Sequence, residues 1–187
     1  HLLQADRFVR AGGWQEQWRV DTPTISGKRL GILGLGTIGN RIAHRAARGF
    51  DMEIGYHNRK AVTGSSYRYF DRLIELATWA DFLICAAPGG AGTRHLVNAD
   101  VLAALGPQGY LVNVGRGTVV DTQALIDALR AQRIAGAGLD VVEGLLAMKE
   151  QRVHAPEAVL KRGRLGRSGR PEGVRMDVCQ REVTEGE

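Results

Sequence analysis

From Arg29 onward, short apolar runs alternate with longer stretches of helical period. Residues 30–33, 52–56, 82–86, 110–114 and 134–141 read as strands. Residues 37–48, 71–78, 98–105 and 121–132 between them read as helices. The strand runs are apolar at consecutive positions, so both faces of each must be covered. Such strands alternating with helices predict a parallel sheet with helices on both sides, the doubly wound α/β class. Ahead of the series, residues 1 to about 20 read as a helix carrying Leu2, Leu3, Phe8 and Val9. It is broken at Gly12-Gly13, followed by Trp14 and Trp18, and ends in a loop at 21–24. An isolated helix cannot bury its own apolar face, so this one must dock on a partner. After Val141 the pattern stops. The Arg- and Gly-rich run at 161–171 has too few apolar residues to offset the entropy of ordering it, and disorder is expected there. The expected division is a helix and loop at 1–21, a nucleotide-binding domain at 22–143 and an atypical tail at 144–187.

A length of 187 residues suits one domain with an appendage, and 24% charged residues suit a water-soluble one. No apolar run approaches the roughly 18 residues of a membrane span, and no signal-peptide pattern stands at the front. The cysteines Cys85 and Cys179 match no metal-ligand spacing, and Cys85 lies in an apolar run, as a core thiol does. The expected compartment is the cytoplasm. The net charge of +5 is modest, and the basic stretch 161–175 holds no aromatic residue, which argues against nucleic acid as a partner. The first residue is His1 and not Met, so the sequence is expected to start inside a longer protein.

The chemistry begins at Gly34-Leu35-Gly36-Thr37-Ile38-Gly39, a G-x-G-x-x-G set directly between a predicted strand and a predicted helix. In that setting Gly34 permits the tight turn and Gly36 lets a pyrophosphate approach the backbone. Gly39 lets the helix pack on the strand, and the N–H groups of Thr37 and Ile38 face the phosphates. This is a Rossmann-type NAD(P)-binding arrangement. NAD-binding units place an acidic residue at the end of the second strand to hold the ribose hydroxyls. Here that place is Tyr56-His57-Asn58-Arg59-Lys60, without a carboxylate. His57, Asn58 and Arg59 can instead offer hydrogen bonds and positive charge to a 2′-phosphate, so NADP(H) is the expected cofactor and NAD(H) the alternative.

The stretch GKRLGILGLGTIG at 27–39 resembles the nucleotide-binding signature of the D-isomer-specific 2-hydroxyacid dehydrogenases. LVNVGRG at 111–117 with VVD at 119–121 is similar to their second signature, and AGAGLDVVE at 135–143 to the third. The Tyr-His-Asn-Arg turn is similar to that of the NADPH-dependent glyoxylate, hydroxypyruvate and hydroxyphenylpyruvate reductases among them. The resemblance implies reduction of a small 2-keto acid. It makes Arg116 the grip on the substrate carboxylate, Asp140 the acid near the nicotinamide, and Pro88 and Thr93 part of the loop beneath the cofactor. It also implies a homodimer.

The family's catalytic pair does not carry over. Leu145 stands where the family has its Glu, and the Pro-His segment that holds its His is missing. His154 has the wrong neighbours and reads as a loop histidine; His44 and His95 read as structural or solvated. The family's substrate domain, built from sequence ahead of the first helix and after the catalytic His, has no counterpart here. The break in composition after Glu143 reads as a shifted or misread frame, with a lineage-specific tail as the rival. The expected function is therefore an NADPH-dependent 2-keto acid reductase represented by part of its chain. The alternative is an NADP(H)-binding module without catalysis.

Overall fold

The computed structural model describes residues 2–13 and 24–143. The predicted tail, Trp14, Trp18, Leu145 and His154 lie outside those residues. Helix α1 (Leu2–Arg10) closes with an Arg10–Asp6 ion pair one turn apart, and Gly12 follows it at φ +83°. The sheet comprises β1 (Arg29–Leu33), β2 (Glu53–His57), β3 (Arg68–Tyr69), β4 (Phe82–Cys85), β5 (Tyr110–Asn113) and β6 (Gly136–Leu139). Four helices alternate with them: α2 (Thr37–Phe50), α3 (Leu73–Trp79), α4 (Ala99–Leu105) and α5 (Thr122–Arg130). All strand pairs are parallel, in the order β3-β2-β1-β4-β5-β6. This is the doubly wound sheet that the apolar runs predict.

The two faces carry separate cores. On one, Leu30 and Ile32 of β1 and Ile54 and Tyr56 of β2 meet Ala43 and Ala46 of α2. On the other, Leu33, Leu83 and Leu111 meet Leu76 of α3, Leu102 of α4 and Leu125 of α5. Gly31 and Gly55 are register partners, and each faces α3 closely. A Cβ at Gly55 would stand 2.6 Å from the Trp79 ring, and one at Gly31 2.9 Å from the Ala80 Cβ. The last strand is shorter than its apolar run, although Ile134 ahead of it is buried. Strand β3 was not expected, because two residues are too few to show a period. None of the helices in the described residues is long and apolar enough to cross a membrane.

Arg29 and Asp81 staple β1 to β4 at the amino edge of the sheet. The Asp81 carboxylate accepts from the Arg29 backbone N–H at 2.8 Å and from its guanidinium at 3.2 and 3.3 Å. Partial burial pushes the Asp81 pKa up, but the hydrogen bonds from Arg29 and its charge outweigh this and hold it below the ordinary value. A lowered folded-state pKa stabilises the fold above the unfolded value of about 4 and ceases to do so as pH falls through the folded one. Asp81→Ala is therefore expected to cost about 1–2 kcal/mol at neutral pH. The gap from the parent should close below about pH 4. Urea unfolding of both chains across that range is the check, and a gap independent of pH would contradict the assignment.

Candidate cofactor and substrate site

A parallel sheet puts the carboxyl ends of all its strands on one edge, and every predicted site residue ends or follows one of those strands. The backbone there climbs in steps: Gly34 N–H donates to His57 O, Ala86 N–H to Leu33 O, Val114 N–H to Cys85 O and Asp140 N–H to Asn113 O. Strand order reverses between β1 and β4, and the carboxyl edge at such a switch point is where doubly wound sheets bind ligands.

The three loop glycines have different reasons to be glycine. Gly34 lies at φ +98°, where a Cβ is strained, and that Cβ would also stand 2.7 Å from Ala87 N. A Cβ at Gly39 would run into the carbonyl oxygen of Gly34, so α2 rests on the loop only without one. Gly36 has an ordinary φ of −90°, and a Cβ there would meet nothing within 4 Å. The fold does not require glycine at that position; a ligand lying against the backbone would. Side chains of Asn98 and Asp121 cap α4 and α5, whereas α2 has no side-chain cap and no acidic residue in its first turn. The first-turn N–H groups at Thr37 and Ile38 are left for an anion, helped by the helix dipole, and both side chains are exposed. These features fit a dinucleotide pyrophosphate.

At the end of β2, His57 Nδ1 lies 3.0 Å from Phe70 O. A carbonyl only accepts, so Nδ1 carries the proton and Nε2 is left for other partners. The Asn58 amide oxygen accepts from Leu35 N–H at 2.7 Å and so ties this turn to the glycine loop. The sequence marks Asn58 only as a donor to phosphate and carries no sign of this structural bond. Tyr69 Oη lies 3.3 Å from the Asn58 backbone carbonyl and 3.1 Å from the Asp71 carboxylate, the two acceptors for its one hydrogen. Arg59 is exposed and makes no hydrogen bond or ion pair among the described residues.

After β4, the Thr93 hydroxyl donates to Pro88 O at 2.8 Å and lies 3.1 Å from Gly90 O, closing the 88–93 loop. Arg116 follows β5, exposed, with its stem against Gly89 and one guanidinium N–H donated to Gly115 O. Its turn is built on Asn113, a fully buried polar side chain. The Asn113 amide donates to Arg116 O and its oxygen accepts from Gly115 N–H. Asp140 is exposed just beyond β6.

Cys85, also fully buried, has its thiol pushed up to about 12 by desolvation, which makes it inert at neutral pH. Of the two histidines read as structural or solvated, His44 is exposed. His95 instead reaches Glu143, with Nε2 2.6 Å from Oε2, while Arg94 reaches the other carboxylate oxygen at 2.7 Å. The His95 hydrogen bond is the main cause that lowers the Glu143 pKa, and the Arg94 charge adds to it against partial desolvation. Nothing local in the sequence signals this cluster, in which Glu143 stands 48 residues from His95.

Comparison with known proteins agrees with this geometry. Residues 1–161 match the model of the D-isomer specific 2-hydroxyacid dehydrogenase, NAD binding domain. The chain is 43% identical over 142 residues to the hydroxyphenylpyruvate reductase of Plectranthus scutellarioides, covering 76% of this chain and 45% of the relative. It is 42% identical to a glyoxylate/hydroxypyruvate reductase A of Arabidopsis thaliana, covering 83% and 47%. Among solved structures, it is similar to the NADPH-dependent glyoxylate/hydroxypyruvate reductase of Sinorhizobium meliloti in complex with NADP and malonate. The TM-score is 0.73 at 44% identity, over 77% of this chain and 46% of that one. The chain thus spans about half the length of the curated relatives it matches.

Proposed function

The chain belongs to the D-isomer specific 2-hydroxyacid dehydrogenase family, and on that premise we propose that it is the cofactor half of an NADPH-dependent reductase of small 2-keto acids. The supporting observation is a single edge holding an open Gly36, an uncapped α2 and a carboxylate-free turn at His57, Asn58 and Arg59. In this reading Gly34, Gly36, Thr37, Ile38 and Gly39 hold the pyrophosphate. Arg59, with His57 and the Asn58 amide, holds the 2′-phosphate. Pro88, Thr93 and Asp140 flank the nicotinamide, which supplies hydride when bound. Arg116 takes the substrate carboxylate: one guanidinium N–H is committed to Gly115 O, and the remaining donors suit a planar, two-oxygen partner.

A second reading, an NADP(H)-binding module without turnover, is favoured by Leu145 at the place of the family's Glu. Loss of a general acid alone removes about 10²–10⁴-fold in rate. NADPH oxidation by residues 1–187 with glyoxylate or hydroxypyruvate is therefore expected near the assay floor. Binding is the better test of Arg116. Oxalate, which carries carboxylates and no reducible ketone, is expected to bind the NADPH-saturated chain and to lose about tenfold or more in Arg116→Ala. Calorimetric titration reads this directly, and equal oxalate affinity in the two chains would remove Arg116 from the role.

A further inference from the structure

Strands β4 and β6 are not neighbours, because β5 lies between them. Yet the loop after β4 and the segment after β6 are joined directly, over the carboxyl end of β5. Arg94 and His95 come from the first, Glu143 from the second, and the carboxylate binds both at 2.7 and 2.6 Å. Beneath this bridge lies the turn that carries Arg116. His95 N–H donates to Thr118 O at 2.8 Å, and Val97 N–H to Val119 O at 3.1 Å. Gly117 is pressed against the backbone of Val142 and Glu143, with no room for a Cβ. His95 itself stands at φ +51°, a conformation unfavourable for a residue other than glycine, which persists only where surrounding bonds hold it.

We propose that Arg94, His95 and Glu143 form a latch that closes over β5 and positions the Arg116 turn for the substrate carboxylate. They are positioning residues, and the proposal rests on the reading of Arg116 given above. A carboxylate held between the Arg94 guanidinium and the His95 ring gains from charge-assisted hydrogen bonds that a neutral amide at 143 keeps only in part. The glycine loop takes no part in the latch, so cofactor binding is a control.

The test uses Glu143→Gln and His95→Ala, with His95→Gln restoring an N–H donor at that position. Hydrogen exchange in the free chain is expected to speed up about tenfold at Val119 and Val120, whose amides close the turn, and to stay unchanged at Leu83 and Leu111 in mid-sheet. With NADPH saturating, oxalate affinity is expected to fall about tenfold in Glu143→Gln and His95→Ala and to recover at least in part in His95→Gln. NADPH affinity is expected to change far less than oxalate affinity, because the side chains of Arg94, His95 and Glu143 make no hydrogen bond to the glycine loop or to the His57-Asn58-Arg59 turn among the described residues.

Unchanged exchange at Val119 and Val120 in both variants overturns the latch. Faster exchange with undiminished oxalate affinity overturns its positioning role. If Arg116→Ala binds oxalate as well as the parent, the reading of Arg116 fails instead, and exchange alone decides whether the latch holds the turn.

Discussion

Alanine at Gly36 is expected to weaken NADPH binding by at least about tenfold while the fold stands, because the added methyl enters the space a pyrophosphate must use. The structure separates the two effects. The φ of −90° suits alanine, and its Cβ would touch no protein atom within 4 Å. The expected loss of stability is that of a poorer helix N-cap, about 1 kcal/mol or less. Gly39→Ala provides the contrast, since its Cβ would collide with the Gly34 carbonyl and lift α2 from the sheet. That variant is expected to lose stability and binding together. Thermal melts and fluorescence titration of NADPH on both variants are the check. Full-strength binding by Gly36→Ala would mean that no phosphate lies against that backbone.

Among the residues at this edge outside the glycine loop, the largest loss of stability is expected at Asn113. It is the one polar side chain among the buried residues described, and both ends of its amide are used on the turn that carries Arg116. Asn113→Ala leaves Gly115 N–H and Arg116 O without that partner and opens a small cavity. A cost of about 2–3 kcal/mol in denaturant unfolding follows. Oxalate affinity should fall with it, because the Arg116 backbone loses its anchor. A cost under about 0.5 kcal/mol, the size of an ordinary surface substitution, would contradict this account of the turn.

Local sequence made most of the sheet and the phosphate loop legible. Consecutive apolar residues report burial on both faces, and the glycine spacing encodes contacts within a single strand-turn-helix unit. The candidate residues share one edge because a parallel sheet brings the ends of its strands together, which follows from the strand readings alone. What sequence missed depends on partners distant in the chain. Asn58 was read as a phosphate donor, and its bond to Leu35, 23 residues earlier, has no local trace. His95 was read as structural or solvated, and only the fold brings Glu143 beside it. Asn113 was visible as a letter of a signature, but its burial and its double hydrogen bond come from the turn above it. Strand β3 is defined by pairing with β2 and not by its own two residues.

In the proposed function this edge binds NADPH through a turn in which His57, Asn58 and Arg59 stand where NAD-binding units carry an acid. Arg59 is exposed and makes no bond among the described residues, so Arg59→Ala is expected to leave the fold unchanged. A charge-assisted bond to a 2′-phosphate is worth about 1.5–3 kcal/mol, so the variant should bind NADPH about 10- to 100-fold more weakly and NADH as before. The direct measurement is titration of NADPH and NADH into the parent and Arg59→Ala at fixed ionic strength. Tighter binding of NADPH by the parent and loss of that preference in the variant are expected. Equal affinities in the parent, or an unchanged preference in the variant, would contradict this reading.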